Sequence, residues 1–199
     1  MIDTVIFDIG NVLAPFQWRE IYEELFFGEV LERISDITVR DTALWNEMDR
    51  GTVEYEALLQ RIIAKEPRLE QDIRRAVHTL YQRIAPYDYA SSWVKALKEK
   101  GLRVYALSNY GKVPFEQSRP RFPFLEDLDG MVISYEVQQI KPAPPIFNIL
   151  CEKYAIVPQN AVFIDDNADN IQGAAALHFH TILFRNKPDT DKELEKLGI

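Results

Sequence analysis

Short apolar runs that stop abruptly at a polar residue recur along the chain. Thr4-Val5-Ile6-Phe7 ends at Asp8, with Gly10 and Asn11 directly behind it. A run of this kind predicts a strand buried on both faces of a parallel sheet and solvated only at its carboxyl end. Leu102 to Leu107 ends at Ser108-Asn109, and Ala161 to Ile164 ends at Asp165-Asp166. Met131 to Ile133 and Thr181 to Phe184 predict two further strands. Between the strands the period changes to that of a helix. Trp93, Val94 and Leu97 share one face, with Gly101 as the stop. Ile146 to Tyr154 follows Pro144 and Pro145, which a helix tolerates in its first turn. Ala168 to Leu177 predicts a third helix. This alternation predicts an α/β fold with a doubly wound, parallel, Rossmann-like sheet.

Residues 15–87 break the alternation. Strand patterns vanish there, and Trp18, Ile21, Tyr22 and Leu25 form one amphipathic stripe, with Tyr55, Leu58, Leu59 and Ile62 forming another. Asp49-Arg50-Gly51-Thr52 lies between them and reads as a turn. The expected organisation is therefore an α/β core from residues 1–14 and 88–199, with an α-helical cap inserted at 15–87. The charged tail from Lys187 to Ile199 reads as a surface helix or a frayed end.

Composition narrows the classes. The 199 residues are 47% apolar and 27% charged, ordinary globular usage that argues against long disorder. Thirty-one acids against 23 bases give a net charge of −8, which disfavours nonspecific binding to nucleic acid or anionic membrane. Any anionic ligand must then be held by a local electropositive site. Cys151 is the only cysteine, so neither an internal disulfide nor a cysteine zinc cage is expected. No apolar stretch has the length of a membrane span, and the chain is expected to be cytoplasmic.

In a parallel sheet, functional groups gather at the carboxyl ends of strands. The predicted rim carries Asp8, Ser108-Asn109 and Asp165-Asp166, with Lys141 in the loop after a fourth strand. Two carboxylates supply the hard oxygen ligands that suit Mg²⁺. A lysine and a hydroxyl beside them would hold an oxyanion such as a phosphoryl group. His178 and His180 have no third nitrogen or sulfur ligand nearby and read as structural.

Val5-Ile6-Phe7-Asp8-Ile9-Gly10-Asn11-Val12, Leu107-Ser108-Asn109, Ile140-Lys141-Pro142 and Phe163-Ile164-Asp165-Asp166-Asn167 together resemble the four motifs of the haloacid dehalogenase-like (HAD) hydrolase superfamily. The resemblance runs from Asp8 to about Phe184 and is closest to small-cap phosphatases such as α-glucose-1-phosphate phosphatases. It implies that Asp8 is the nucleophile and passes through an aspartyl-phosphate. It further implies Mg²⁺ held by Asp8, Asp166 and the Gly10 carbonyl, with Ser108, Asn109 and Lys141 on the phosphoryl group. Asp165 would orient Lys141, and Asn170 would support the cluster. Trp18-Arg19 and Asp49-Arg50 are the candidates for substrate contacts from the cap.

One position departs from the superfamily pattern. Most of its phosphatases carry an aspartate two residues after the nucleophile as general acid and base, and here Gly10 stands there. The small-cap relatives share this glycine. Loss of such a donor costs about 10²–10⁴-fold in rate, so either the substrate has a good leaving group, another residue or water substitutes, or the enzyme is slow; the first favours a hexose 1-phosphate over the matching 6-phosphate. The leading expectation is a Mg²⁺-dependent phosphatase acting on a small phosphorylated metabolite, with a sugar phosphate as the favoured class. The alternatives are a haloacid dehalogenase, which leaves Asp165-Asp166 without a role, and a noncatalytic phosphate-binding module.

Overall fold

A computed structural model describes residues 1–199. Its sheet has five parallel strands: β1 (Thr4–Phe7), β2 (Arg103–Ser108), β3 (Gly130–Ile133), β4 (Ala161–Asp165) and β5 (His180–Leu183). They lie in the order β3-β2-β1-β4-β5, so β1 is central. Thr4 pairs with Arg103 on one side and with Ala161 on the other. All four residues of β1 are fully buried, as a run apolar at nearly every position requires.

Alternate residues of each strand serve opposite faces. Val5, Phe7, Val104 and Val162 join a cluster with Trp93, Val94 and Leu97 of α6 (Ala90–Glu99) and Leu194 of α11 (Lys187–Lys196). Ile6, Tyr105, Leu107 and Phe163 pack instead on Ile146, Phe147 and Leu150 of α9 (Pro144–Tyr154) and on Ala174 of α10 (Ala168–Ala176). The strands and helices fall within a few residues of their expected positions. The tail is a docked helix rather than a frayed end, because Leu194 and Thr190 are buried and the Asn186 side chain caps its first turn at 2.9 Å.

Five α-helices fill the chain between β1 and α6. They are α1 (Trp18–Leu25), α2 (Gly28–Ile37), α3 (Thr42–Arg50), α4 (Tyr55–Ile63) and α5 (Glu70–Arg83). Ile37, Leu59, Ile63 and Ile73 give this insertion a small core of its own. Tyr22, Ile34, Leu80 and Tyr81, however, belong to the same continuous apolar cluster as Val5 and Phe7. The expected turn at Asp49–Thr52 starts later than the sequence suggests. The Asp41 side chain caps α3 at the Leu44 N–H (3.1 Å), and the helix runs through Asp49 and Arg50 until Gly51 ends it in the left-handed region at φ 69°. Two shorter helices, α7 (Lys112–Ser118) and α8 (Ser134–Val137), follow β2 and β3.

Candidate active site

The carboxyl ends of β1, β2 and β4 meet at one rim. Asp8 is the first residue past β1, and its N–H continues the ladder to the Ile164 carbonyl at 2.9 Å. Its Oδ1 accepts from the Ile9 N–H at 2.7 Å and lies 3.0 Å from Lys141 Nζ. Burial pushes the Asp8 carboxyl up to about 7; the charge of Asp165 adds to this, while Lys141 and the Ser108 hydroxyl pull the other way. Ser108, the last residue of β2, is buried at the same rim.

Lys141 is the hub. Its ammonium also reaches Asp165 Oδ2 at 2.6 Å, and both side chains are shut off from solvent. Burial on its own would strip that ammonium of its proton, but Asp165 and Asp8 outweigh it and hold the pKa above the ordinary lysine value. Its backbone is clamped by Asn109, whose Nδ2 donates to the Lys141 carbonyl (3.0 Å) and whose Oδ1 accepts from the Lys141 N–H (2.8 Å). Both polar ends of the Asn109 side chain are thereby committed to placing the lysine. Helix α10 closes over this loop at Gly173, where a Cβ would lie 2.5 Å from the Pro142 carbonyl oxygen.

Asp165 is held in turn. Asn170 donates to both of its oxygens (3.1 and 3.0 Å), and the Asn167 N–H bonds Oδ1 at 2.8 Å. Asp166 is braced separately, its Oδ2 accepting from Asn11 Nδ2 at 2.8 Å. Asn11 sits at φ 55°, a conformation that asparagine tolerates, and its Oδ1 also takes the Phe16 N–H at 2.9 Å. The sequence showed Asn11 only as part of a motif, and its role as the brace of Asp166 appears only in three dimensions.

Carboxylate oxygens of Asp8, Asp165 and Asp166 all lie within 4.8 Å of one another. Three such charges against the single ammonium of Lys141 leave an excess of two negative charges in a largely buried place. That donor set fits a hard divalent cation, for which oxygen ligands of this kind are suited. The Gly10 carbonyl beside them accepts no main-chain hydrogen bond.

Above the rim lies a cavity of about 160 Å³. Asp8, Gly10, Ser108, Asn109 and Asp166 form its floor, and Phe16, Trp45, Met48, Asp49 and Tyr81 of the inserted segment form its wall. Of the cap residues singled out in the sequence, Asp49 lines the cavity and Trp18, Arg19 and Arg50 do not. Trp18 packs edge-on against Tyr22 under the Arg40 guanidinium, Arg19 pairs with Glu23 at 2.9 Å, and Arg50 is exposed. Neither His178 nor His180 joins a ligand cluster; His180 Nε2 instead lies 3.2 Å from the Gln159 carbonyl.

A model of the haloacid dehalogenase-like hydrolases matches residues 2–178. The D-ribitol-5-phosphate phosphatase of Bacteroides thetaiotaomicron is 26% identical over 210 residues, which take in 98% of this chain and 97% of that one. Drimenol cyclase drtB of Aspergillus calidoustus is 24% identical over 99% of this chain, which spans 37% of that longer protein. A solved structure of a HAD family enzyme from Bacteroides thetaiotaomicron, in complex with magnesium and inorganic phosphate, shares the fold. Its TM-score is 0.73 at 23% identity, over 93% of this chain and 95% of the other.

Proposed function

The chain belongs to the haloacid dehalogenase-like hydrolases and is a phosphatase of that family with Mg²⁺ as its cofactor; from that premise we propose that it hydrolyses a small phosphorylated sugar or polyol, with residues 15–87 acting as the cap that closes over it. One observation carries the reading: Asp8 and Asp166 lie at the floor of a single small cavity, and the buried Lys141 ammonium joins Asp8 to Asp165 beside them. Its volume is near that of an engineered cavity that takes up benzene, ~150 Å³, and well below the ~300–1,000 Å³ of a drug-sized pocket. A phosphoprotein does not fit such a space, and a compact metabolite does.

Asp8 is the nucleophile. Its carboxylate attacks phosphorus, the alcohol departs, and water then hydrolyses the aspartyl-phosphate. Lys141 neutralises phosphoryl charge at a place fixed by Asn109, Asp165 and Asn170, and the Ser108 hydroxyl donates to a phosphoryl oxygen. Mg²⁺, held by Asp8, Asp166 and the Gly10 carbonyl, would supply Lewis acidity that further neutralises the phosphate. The ribitol 5-phosphate named for the relative above supports a substrate of this size and polarity.

The test is phosphate release from a panel of phosphorylated metabolites with Mg²⁺. Turnover of small sugar or polyol phosphates is expected. A hexose 1-phosphate that far outran its 6-phosphate would mean that the oxygen leaves unprotonated. Silence toward every phosphate, with metal-independent halide release from 2-haloacids, would replace this reading with the dehalogenase one.

A further inference from the structure

Hydrolysis at this rim leaves one task without an agent: protonating the departing oxygen. Asp8 is the nucleophile, Asp166 serves the cation, Lys141 is held in its charged form by two carboxylates, and Gly10 has no side chain. One acid remains, and it comes from the insertion. We propose that Asp49 is the proton donor to the leaving oxygen and the acceptor of the water proton in the second half of the reaction. This rests on the phosphatase reading of the site.

Three observations converge on Asp49. It is 7% exposed, lines the same cavity as Asp8, and its carboxyl accepts no hydrogen bond from any other side chain. It is also held in place. Its carbonyl accepts from Ser134 Oγ at 2.5 Å, at the start of α8. On either side of it, backbone approaches the core as closely as only glycine allows. A Cβ on Gly51 would lie 2.8 Å from Tyr135 Cβ, and one on Gly111 would lie 2.7 Å from Met48 Cγ and 3.0 Å from the Met48 carbonyl oxygen. The last turn of α3 is thus fastened to the sheet rim rather than floating above it, which is what a positioned proton donor needs. Finally, burial pushes its carboxyl up to about 7; the Asp8 charge adds to this, and the Gly111 N–H and Lys141 pull it down. Tyr81 of α5 and Tyr110 after β2 face it as well. An acid poised there both gives and takes a proton at neutral pH.

The steps balance. Asp8 Oδ forms a bond to phosphorus as the phosphorus–oxygen ester bond breaks. The bonding pair goes to the alcohol oxygen, which takes the Asp49 proton and leaves as the free alcohol. Asp49, now a carboxylate, then removes a proton from water as the water oxygen attacks the aspartyl-phosphate. Phosphate leaves, Asp8 is restored, and Asp49 is again the acid.

The experiment measures steady-state hydrolysis, with Mg²⁺, of one series of phosphate esters running from dinitrophenyl through phenyl to simple alkyl leaving groups. Wild type, D49N and the double variant D49N with Gly10→Asp are compared. Wild type should depend only shallowly on leaving-group acidity. D49N should lose about 10²–10³-fold on alkyl esters and far less on the dinitrophenyl ester, because an acidic leaving group departs without help. Gly10→Asp should flatten the slope again, since the space beside Gly10 is open: a Cβ there would have Asp8 Oδ2, at 3.9 Å, as its nearest neighbour. Parallel slopes for wild type and D49N would overturn the assignment, and so would an equal loss of D49N on every ester, which marks a structural role. Wild type inactive on the whole series would instead overturn the phosphatase reading, and this assignment with it.

Discussion

Arg74 and Lys141 each bridge two carboxylates, and their settings are opposite. Arg74 spans Glu56 at 2.9 Å and Glu70 at 3.0 Å on the insertion's surface, with side-chain exposures of 37%, 59% and 49%. Lys141 spans Asp8 at 3.0 Å and Asp165 at 2.6 Å, with exposures of 1%, 12% and 0%. An exposed pair gains little, because water screens it and two long side chains must be ordered. A buried pair carries a desolvation cost that its own attraction barely offsets, yet losing one partner strands the other charge. The buried cluster is therefore a poor stabilising device and an effective way to fix reactive groups. The asparagine side chains at 109 and 170 are committed to holding it, whereas the Arg74 cluster has only the exposed Gln60 amide, donating to Glu56 at 2.9 Å.

The contrast can be broken most sharply at Asp8. Asp8→Asn keeps the shape and removes the attacking charge, so phosphate release should fall by about 10⁴-fold or more, while circular dichroism shows the fold intact. Substantial turnover by pure Asp8→Asn would mean that another group is the nucleophile. Metal removal comes next. A chelator should bring activity to background and Mg²⁺ should restore it, and Asp166→Ala should raise the Mg²⁺ concentration required for half-activity. Full activity in chelator would make the carboxylate cluster as incidental as the surface pairs. Lys141→Met should cut turnover about 10²–10³-fold and, by stranding Asp8 and Asp165, destabilise by about 3–5 kcal/mol. In a melting experiment that is a fall of roughly 6–20 °C for a chain of this size. The smallest effect is expected at Arg74→Ala, which should leave both turnover and melting temperature unmoved. A large melting shift there would erase the distinction between the two clusters.

Much of this was legible in the sequence, for a physical reason. A buried parallel strand must be apolar until it meets solvent, so its end is marked by the first polar residue, and Asp8, Ser108 and Asp165 were found that way. The sheet strands needed little else. Within the insertion, the stripe through Ile21 and Tyr22 announced a helix, but not that Tyr22 and Leu80 share one core with Val5 and Phe7. The substrate-contact candidates show the limit most clearly. Asp49 and Arg50 are neighbours on α3, about 100° apart around the helix axis, so one faces the cavity and the other faces water. Nothing in the pair itself says which. The deciding signal lay in Gly51 and Gly111, whose close approaches fix the turn, and a glycine's reason is invisible until its neighbours are known. The same holds for Asn109, whose side-chain amide bonds the Lys141 backbone.

The central place of β1 also governs how the chain comes together. Its four residues precede both of its ladder partners, which begin at Arg103 and at Ala161. Between the first strand and either neighbour the whole helical insertion must be synthesised and stowed. Pairings of such long sequence separation are slow to form, because loop closure has to precede any reward from contact. A nascent chain halted before β4 would present one open edge of a strand apolar at all but its first position, the kind of edge that recruits other chains. The strand that leads to the nucleophile is thus enclosed on both sides only once β4 is in place, and β4 is also the strand that brings Asp165 and Asp166 to the rim.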